Sequence, residues 1–216
     1  MISRLARRTS HAAPGLIVVV VVLVLVPVLA CAPDPEKERL KATTKATYDK
    51  ETGRLRELTY DGNKNGVIDT WTHMNGTRII STDIDQDENG KIDRWEYYGE
   101  GGRLDRVALS RANNGVADMW LYPAPDGKAA RAEISTKQDT KVDRWEWYQD
   151  DVLVRAEDDA NGDGRPDKWE TYDRGRVVTS SFDENGDGVP DRRLTYGAAG
   201  ALVSIETDPD ASGNYR

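Results

Sequence analysis

Cysteine is almost absent from this chain of 216 residues: Cys31 is the single one, so neither an internal disulfide framework nor a cysteine-based zinc site can be built. Histidine is nearly as scarce, with only His11 and His73, and no Ser-His-Asp set can be assembled with confidence from them. Glycine motifs that cradle phosphates or dinucleotides are missing. Positive charge is in deficit, at 30 Lys+Arg against 38 Asp+Glu, which argues against nucleic acid, a partner that needs clustered positive charge. Apolar residues make up 38% of the chain, yet 20 of the first 30 positions are apolar, leaving about a third for the remainder. A large oily core, and with it an ordinary compact enzyme, is not to be expected.

The apolar excess at the start is organised. Arg4, Arg7 and Arg8 precede an apolar run from Leu16 to Ala30, broken by Pro27, and Cys31 follows. Charged start, apolar run and small residue are the order of a secretory signal, and the run is shorter than the about 20 residues of a bilayer span. Val28-Leu29-Ala30-Cys31 resembles the lipobox of bacterial lipoproteins, in which cleavage leaves the cysteine first and its thiol carries diacylglycerol. The resemblance implies that residues 1–30 are a removed signal and that Cys31 is a membrane anchor carrying acyl chains such as palmitate. Ala32 in place of Asp implies sorting to the outer membrane of the cell envelope, facing periplasm or surface. Residues 31–46 then read as the lipidated cysteine and a flexible tether. A chain starting at Cys31 has 27 Lys+Arg against 38 Asp+Glu, a net of −11.

The rest repeats. Asp69, Asp93, Asp118, Asp143, Asp167 and Asp191 recur at intervals of 24, 25, 25, 24 and 24. Two residues after the first five stand Trp71, Trp95, Trp120, Trp145 and Trp169; the sixth copy has Arg193. Aromatic and β-branched residues at period two, bounded by Gly and Asn/Asp clusters, predict strands joined by tight turns. One copy holds two strands, hence a hairpin per repeat. The expectation is an all-β fold: an elongated antiparallel β-hairpin repeat array of about six 24–25-residue repeats, as open sheet or solenoid, over residues 47–207, with a frayed tail at 208–216. On such strands the tryptophans share one face, and Arg94, Arg144 and Lys168 beside them are candidates to cover the rings. The strand segments 48–55 and 95–98 resemble the YD and MORN families of β-hairpin repeats, which implies the fold and no activity.

The connection before each Asp-x-Trp carries metal-ligating residue types. Asp85, Asp87, Asn89, Gly90, Asp93 and Glu96 satisfy D-x-[DN]-x-[DN]-G-x5-E, as do Asp159, Asn161, Asp163, Gly164, Asp167 and Glu170. A third loop, Asp183, Asn185, Asp187, Gly188 and Asp191, has Leu194 where the final acid would stand; the first, Asp61, Asn63, Asn65, Gly66 and Asp69, is poorer in charge. Ca²⁺ takes six to eight hard oxygens, which alternate residues of a tightly wound loop can turn inward, whereas Mg²⁺ demands a tighter octahedron. These loops resemble those of EF-hands, dockerin modules and thrombospondin type 3 repeats, although the glycines after Glu96 leave no room for an EF-hand helix. Two to four Ca²⁺ are expected.

A metal-free explanation competes with this one, because Asn-Gly and Asp-Gly favour hairpin turns by themselves. The chain holds its own control: Ser110 and Ala112 replace the early ligands of loop three, and Ser135 and Lys137 those of loop four, where Thr140 replaces the glycine. Asp118 and Asp143 nevertheless persist, so the late aspartate is expected to cap the turn first and to ligate only where early acids remain. The tryptophan ladder resembles choline- and glucan-binding repeats, which implies cell-wall polysaccharide, or another envelope protein, as an alternative partner. A glycosidase needs only two carboxylates, but a catalytic pair should break the repeat pattern that these acids follow. The chain is therefore read as a non-enzymatic, exported, lipid-anchored structural or binding module.

Overall fold

The computed structural model describes residues 43–210 together with Lys37, Glu38, Lys41 and Tyr215. Cys31, the signal 1–30, much of the tether and residues 211–214 and 216 lie outside the described residues. Fourteen strands follow one another: β1 (Lys45–Tyr48), β2 (Leu55–Tyr60), β3 (Thr70–Asn75), β4 (Arg78–Ile84), β5 (Arg94–Tyr98), β6 (Leu104–Leu109), β7 (Met119–Pro123), β8 (Ala129–Ile134), β9 (Arg144–Gln149), β10 (Val152–Asp158), β11 (Lys168–Asp173), β12 (Arg176–Phe182), β13 (Arg192–Tyr196) and β14 (Leu202–Thr207). They form one open antiparallel sheet in the order β1 to β14, each strand paired only with its chain neighbours. At about 4.8 Å per strand the sheet is about 60 Å across.

Two kinds of connection alternate. Odd strands pass to even strands through tight turns; those at Asp150–Asp151 (φ 51 and 62) and Arg174–Gly175 (φ 50 and 75) hold both central residues in the left-handed region, the type I′ geometry that matches strand twist. Even strands pass to odd strands through the long loops 61–69, 85–93, 110–118, 135–143, 159–167 and 183–191 at the opposite edge. All six candidate loops thus share one edge of the sheet.

Period two alone does not describe the return strands. In every odd-to-even hairpin the register shifts once near the tight turn: Tyr97 pairs Arg106 while Tyr98 pairs Leu104, leaving Asp105 as an extra residue. Ala130, Val154 and Val178 are extra in the same way. Each is a β-bulge, which bends the strand and increases its twist. It also places Leu104 and Val107, three apart, on one face.

The two faces differ in chemistry. One carries Trp71, Trp95, Trp120, Trp145 and Trp169, all half-buried, with Asp83, Ala108, Glu133, Glu157 and Ser181 paired beside them on the even strands. The rings are two strands, about 9.6 Å, apart and so line up without stacking on one another. A second row on this face alternates aromatics with arginines: Arg106 lies 4.4 Å from the Tyr97 ring centre, Arg131 4.5 Å from Tyr122 and Arg155 4.9 Å from Trp147. Arg94, Arg144 and Lys168, expected to cover the tryptophans, instead point to the other face, because each immediately precedes its Trp on a strand where side chains alternate. There they form triads within one strand, described below.

Packing is thin. Among the described residues the buried apolar side chains are Val107, Ala108, Ala132, Ile134 and Ala156, fewer than the buried polar ones. A single-layer sheet buries too little apolar surface to hold itself, so polar groups must be satisfied within it.

In loop two the sixth residue, Gly90, has φ 86 and open space where a Cβ would lie, so conformation rather than crowding selects glycine. Loop four winds the same way with Thr140 at φ 72, which a β-branched residue tolerates poorly. Thr140→Gly is expected to stabilise the protein by about 1 kcal/mol, read as a higher urea midpoint at unchanged m-value; an unchanged or lower midpoint contradicts the strain.

Candidate metal centre

The late aspartate of each loop is used three times over. Its N–H closes the loop onto the preceding strand, as from Asp93 to the Ile84 carbonyl at 3.0 Å and from Asp143 to the Ile134 carbonyl at 3.0 Å. Its carbonyl accepts the first amide of the next loop: Asp85 N–H donates to Asp69 O at 2.9 Å, Ser110 to Asp93 at 2.8 Å, Ser135 to Asp118 at 2.8 Å, Asp159 to Asp143 at 2.8 Å and Asp183 to Asp167 at 2.8 Å. Its carboxylate accepts amides at the start of its own loop. Asp93 Oδ2 takes those of Gln86 (2.8 Å) and Asp87 (3.3 Å), Asp167 Oδ2 those of Ala160 (3.0 Å) and Asn161 (2.9 Å), and Asp191 Oδ2 those of Glu184 (2.7 Å) and Asn185 (3.1 Å). Asp69 does the same for Gly62 and Asn63; burial alone would raise its carboxyl pKa, but these bonds and the one from Thr70 hold it below the ordinary value.

The first acid winds the loop. Asp85 accepts the Asn89 amide at 3.1 Å on one oxygen and the Gly90 amide at 2.8 Å on the other. Asp159 holds Asp163 (3.1 Å) and Gly164 (2.8 Å) likewise, and Asp183 holds Gly186 (2.7 Å) and Gly188 (2.7 Å). Between them, Asp87 accepts the Asn89 amide at 3.2 Å, Asn89 that of Lys91 at 2.9 Å, Asn161 that of Asp163 at 2.8 Å, Asp163 that of Arg165 at 2.9 Å, Asn185 that of Asp187 at 2.8 Å and Asp187 that of Val189 at 2.8 Å. Asp85 Oδ2 and Asp183 Oδ2, each engaged by one such amide, keep a second lone pair, whereas Asp159 Oδ1 accepts both Gly162 and Asp163.

In loop two the winding brings three carboxylates together: oxygens of Asp85, Asp87 and Asp93 all lie within 4.8 Å of one another, with Asp85 and Asp93 buried and Asp87 exposed. This cluster could hold a metal ion. Hard oxygen donors carrying three negative charges suit a divalent cation. Asn89, between Asp87 and Asp93 in the loop, donates its Nδ2 to Asp87 at 3.0 Å. Among the described residues no second group of three carboxylates is this close; the acids of loops five and six share the winding but not the convergence.

Glu96 and Glu170, the final acids of the sequence pattern, are not in such a group. They stand in β5 and β11 at the centre of triads: Glu96 accepts from Arg94 Nε (2.8 Å) and the Tyr98 hydroxyl, and Glu170 from Lys168 Nζ (2.8 Å), the Tyr172 hydroxyl (2.7 Å) and Ser180 (3.3 Å). Glu146 does the same with Arg144 and Tyr148. Burial and then the hydrogen bond to the glutamate push the Tyr98 and Tyr172 hydroxyls up to about 12. For Glu170, burial acts upward, but the bonds from Lys168 and Tyr172 outweigh it and the carboxyl titrates below its ordinary range. The cation-Glu-Tyr spacing at every second residue was visible in the sequence and was absorbed there into the calcium pattern.

Loops three and four show what replaces the acids. Ser110 and Ser135 Oγ still accept the fifth amide, from Asn114 and Asp139, each at 3.1 Å, but a hydroxyl has no second oxygen for the sixth. A cation of the same loop now reaches the late aspartate: Arg111 Nε lies 3.0 Å from Asp118, and Lys137 Nζ 3.9 Å from Asp143. Arg111 also donates to Ser135 O at 2.8 Å, tying loop three to loop four. Loop two is tied to its neighbours as well, through Glu88 to Asn63 (2.6 Å) and through Asp87 to Asn113 (2.8 Å).

No protein-family model matches the chain, and no curated protein matches it. Among solved structures it is similar, over 65% of its length, to the accessory secretory proteins 1, 2 and 3 of Streptococcus pneumoniae, at 12% identity and a TM-score of 0.26; it spans 19% of that chain.

Proposed function

We propose that the chain is an exported lipoprotein, anchored in the bacterial cell envelope through an acylated Cys31, whose β-hairpin sheet is a structural or binding module stiffened by Ca²⁺ at its loop edge. No reaction is assigned to it. The observation that carries the calcium reading is the exchange between loops. Where the early acids are lost, Arg111 or Lys137 supplies a positive charge to the late aspartate. Where they are kept, the hydrogen-bond partners of Asp85, Asp87 and Asp93 are backbone amides and the side-chain amides of Asn89 and Asn113. Three carboxylates within 4.8 Å repel one another, and a divalent cation offsets that repulsion as the arginine or lysine does elsewhere. Asp85, Asp87, Asn89 and Asp93 would hold the ion, and its charge would bind the start of the loop to its end. Loops five and six, which have asparagine at the third position and aspartate at the fifth where loop two has the reverse, are weaker sites of the same kind.

The tryptophan ladder is read as packing. Its rings are half-buried, with acidic or small residues paired beside them. Among the described residues no helix is long and apolar enough to cross a membrane, so the proposed attachment rests on Cys31 and the sequence before it.

Thermal unfolding of the protein in millimolar Ca²⁺ is expected to occur at a midpoint several degrees above that in EDTA, as linkage requires for an ion bound only by the folded state. Identical midpoints would remove calcium from the account. Metabolic labelling with a fatty acid is expected to mark the wild-type protein and to be lost in Cys31→Ser; equal labelling of the two would remove the anchor.

A further inference from the structure

The face opposite the tryptophans is built from long side chains on odd strands leaning over short ones on even strands. Arg144 and Glu146 of β9 and Lys168 and Glu170 of β11 meet across Ala156 of β10, which is fully buried between them; Arg144 Nη1 lies 3.8 Å from Glu170. The same arrangement begins at β5, where Arg94, Glu96 and Tyr98 lean over Thr82 of β4. On the far side of Thr82, however, β3 has no triad. It offers Thr70, Thr72 and Met74 where the pattern has cation, Glu and Tyr. The missing side-chain volume leaves a groove of about 560 Å³ lined by Tyr60, Thr72, Thr82, Arg94, Glu96 and Tyr98, among others. A second concavity, of about 540 Å³, lies beside β13, where Leu194 replaces the glutamate, so loss of the triad acid accompanies an opening at both places.

The groove at β3 differs from its counterpart in its donors and acceptors. Arg94 and Glu96 are paired at 2.7 Å, and the Asp69 carboxylate at the loop end of the groove is held by Gly62, Asn63 and Thr70, so the wall keeps one net negative charge and disfavours an anion. The pair sets guanidinium donors beside a carboxylate whose Oε1 is taken by Arg94 Nε and Nη2 and whose Oε2, engaged by the Tyr98 hydroxyl alone, retains a lone pair. The floor is hydroxyl: Thr72 and Thr82, both buried, share a hydrogen bond of 3.2 Å. Tyr60 and Tyr98 add apolar ring surface. A volume of this size is within the about 300–1,000 Å³ of small-molecule sites.

We propose that this groove binds a neutral polyhydroxylated ligand, the ring of a saccharide, with the Arg94–Glu96 pair bracketing adjacent hydroxyls and the tyrosines facing its C–H surface. Adjacent hydroxyls both donate and accept, which a paired arginine and carboxylate match and a purely apolar groove does not. Binding here is separate from the tryptophan ladder, which lies on the opposite face, while the groove's far end, at Asp69 and Gln86, adjoins the loop edge.

The test uses the full chain in a sugar-free zwitterionic detergent, with chitotriose as probe and saturation-transfer NMR as readout, at about 10 mM sugar. The wild type is expected to transfer saturation to the sugar. Thr72→Glu, which restores the triad acid and fills the groove, and Glu96→Gln, which removes the charged acceptor, are each expected to weaken binding by about ten-fold or more with the circular dichroism of the sheet retained. Should Glu96→Gln fail to fold, Tyr60→Ala, which removes a ring from the groove, takes its place with the same expectation. Trp120→Ala, on the other face, is expected to bind as wild type does. Absence of transfer, wild-type binding by Thr72→Glu, or loss of binding in Trp120→Ala alone would each overturn the proposal.

Discussion

One aspartate per repeat closes the hairpin loop on itself through its carboxylate and, through its backbone carbonyl, fixes that loop's register against the next. A nine-residue loop between antiparallel strands leaves several amides with no ladder partner, and in a sheet only one layer thick no tertiary packing is available to satisfy them. The aspartate supplies the missing acceptor to the start of its own loop, while its carbonyl takes the first amide of the following one. The contact passes from loop to loop, and intervals of 24 and 25 residues both preserve it because the difference is taken up in the hairpin turn at the other end of the strands. The carboxylate's contacts explain why Asp118 and Asp143 remain although their loops have given up the early acids.

The same constraint explains how a chain with so little apolar surface folds. With five buried apolar side chains among the described residues, the sheet depends on polar satisfaction along its length. The long loops do this at one edge, the cation-Glu-Tyr triads on one face, and the tyrosine–arginine pairs on the other. Each repeat touches only its neighbours, which is the energetic pattern of a repeat array: stability is a sum of unit and interface terms, and a local change remains local. Such an architecture tolerates loops that differ in composition, three and four with their cations beside two with its acids, provided the clamp itself is unchanged.

The hairpin array, the loop positions and the structural role of the late aspartate could all be read from sequence, because each leaves a signal repeated six times. The register shifts could not. A bulge at Asp105 changes the face of Leu104 without any marker in composition, and strict alternation applied to β6 gives the wrong partner. The destination of Glu96 and Glu170 was hidden for a different reason: the calcium-loop pattern and the strand triad overlap at that residue, and only the pairing with Arg94, Tyr98, Lys168 and Tyr172 in space separates them. Alternation puts Arg94 on the face opposite Trp95, and its pairing with Glu96 there leaves the ring uncovered by it. The convergence in loop two accompanies a difference that the sequence does carry, an aspartate at the third loop position, Asp87, where loops five and six have Asn161 and Asn185.

The account stands or falls on the late aspartate being a clamp everywhere and a ligand only where the early acids persist. The most direct test compares Asp143→Ala, in the loop without early acids, with Asp93→Ala, in loop two, by urea unfolding in EDTA and in millimolar Ca²⁺. Both variants are predicted to lose about 1–3 kcal/mol in EDTA, the cost of leaving loop amides unsatisfied, and only Asp93→Ala is predicted to lose, in addition, most of the stabilisation that calcium confers. Wild-type stability in Asp143→Ala, or an equal loss of the calcium increment in both, would contradict it.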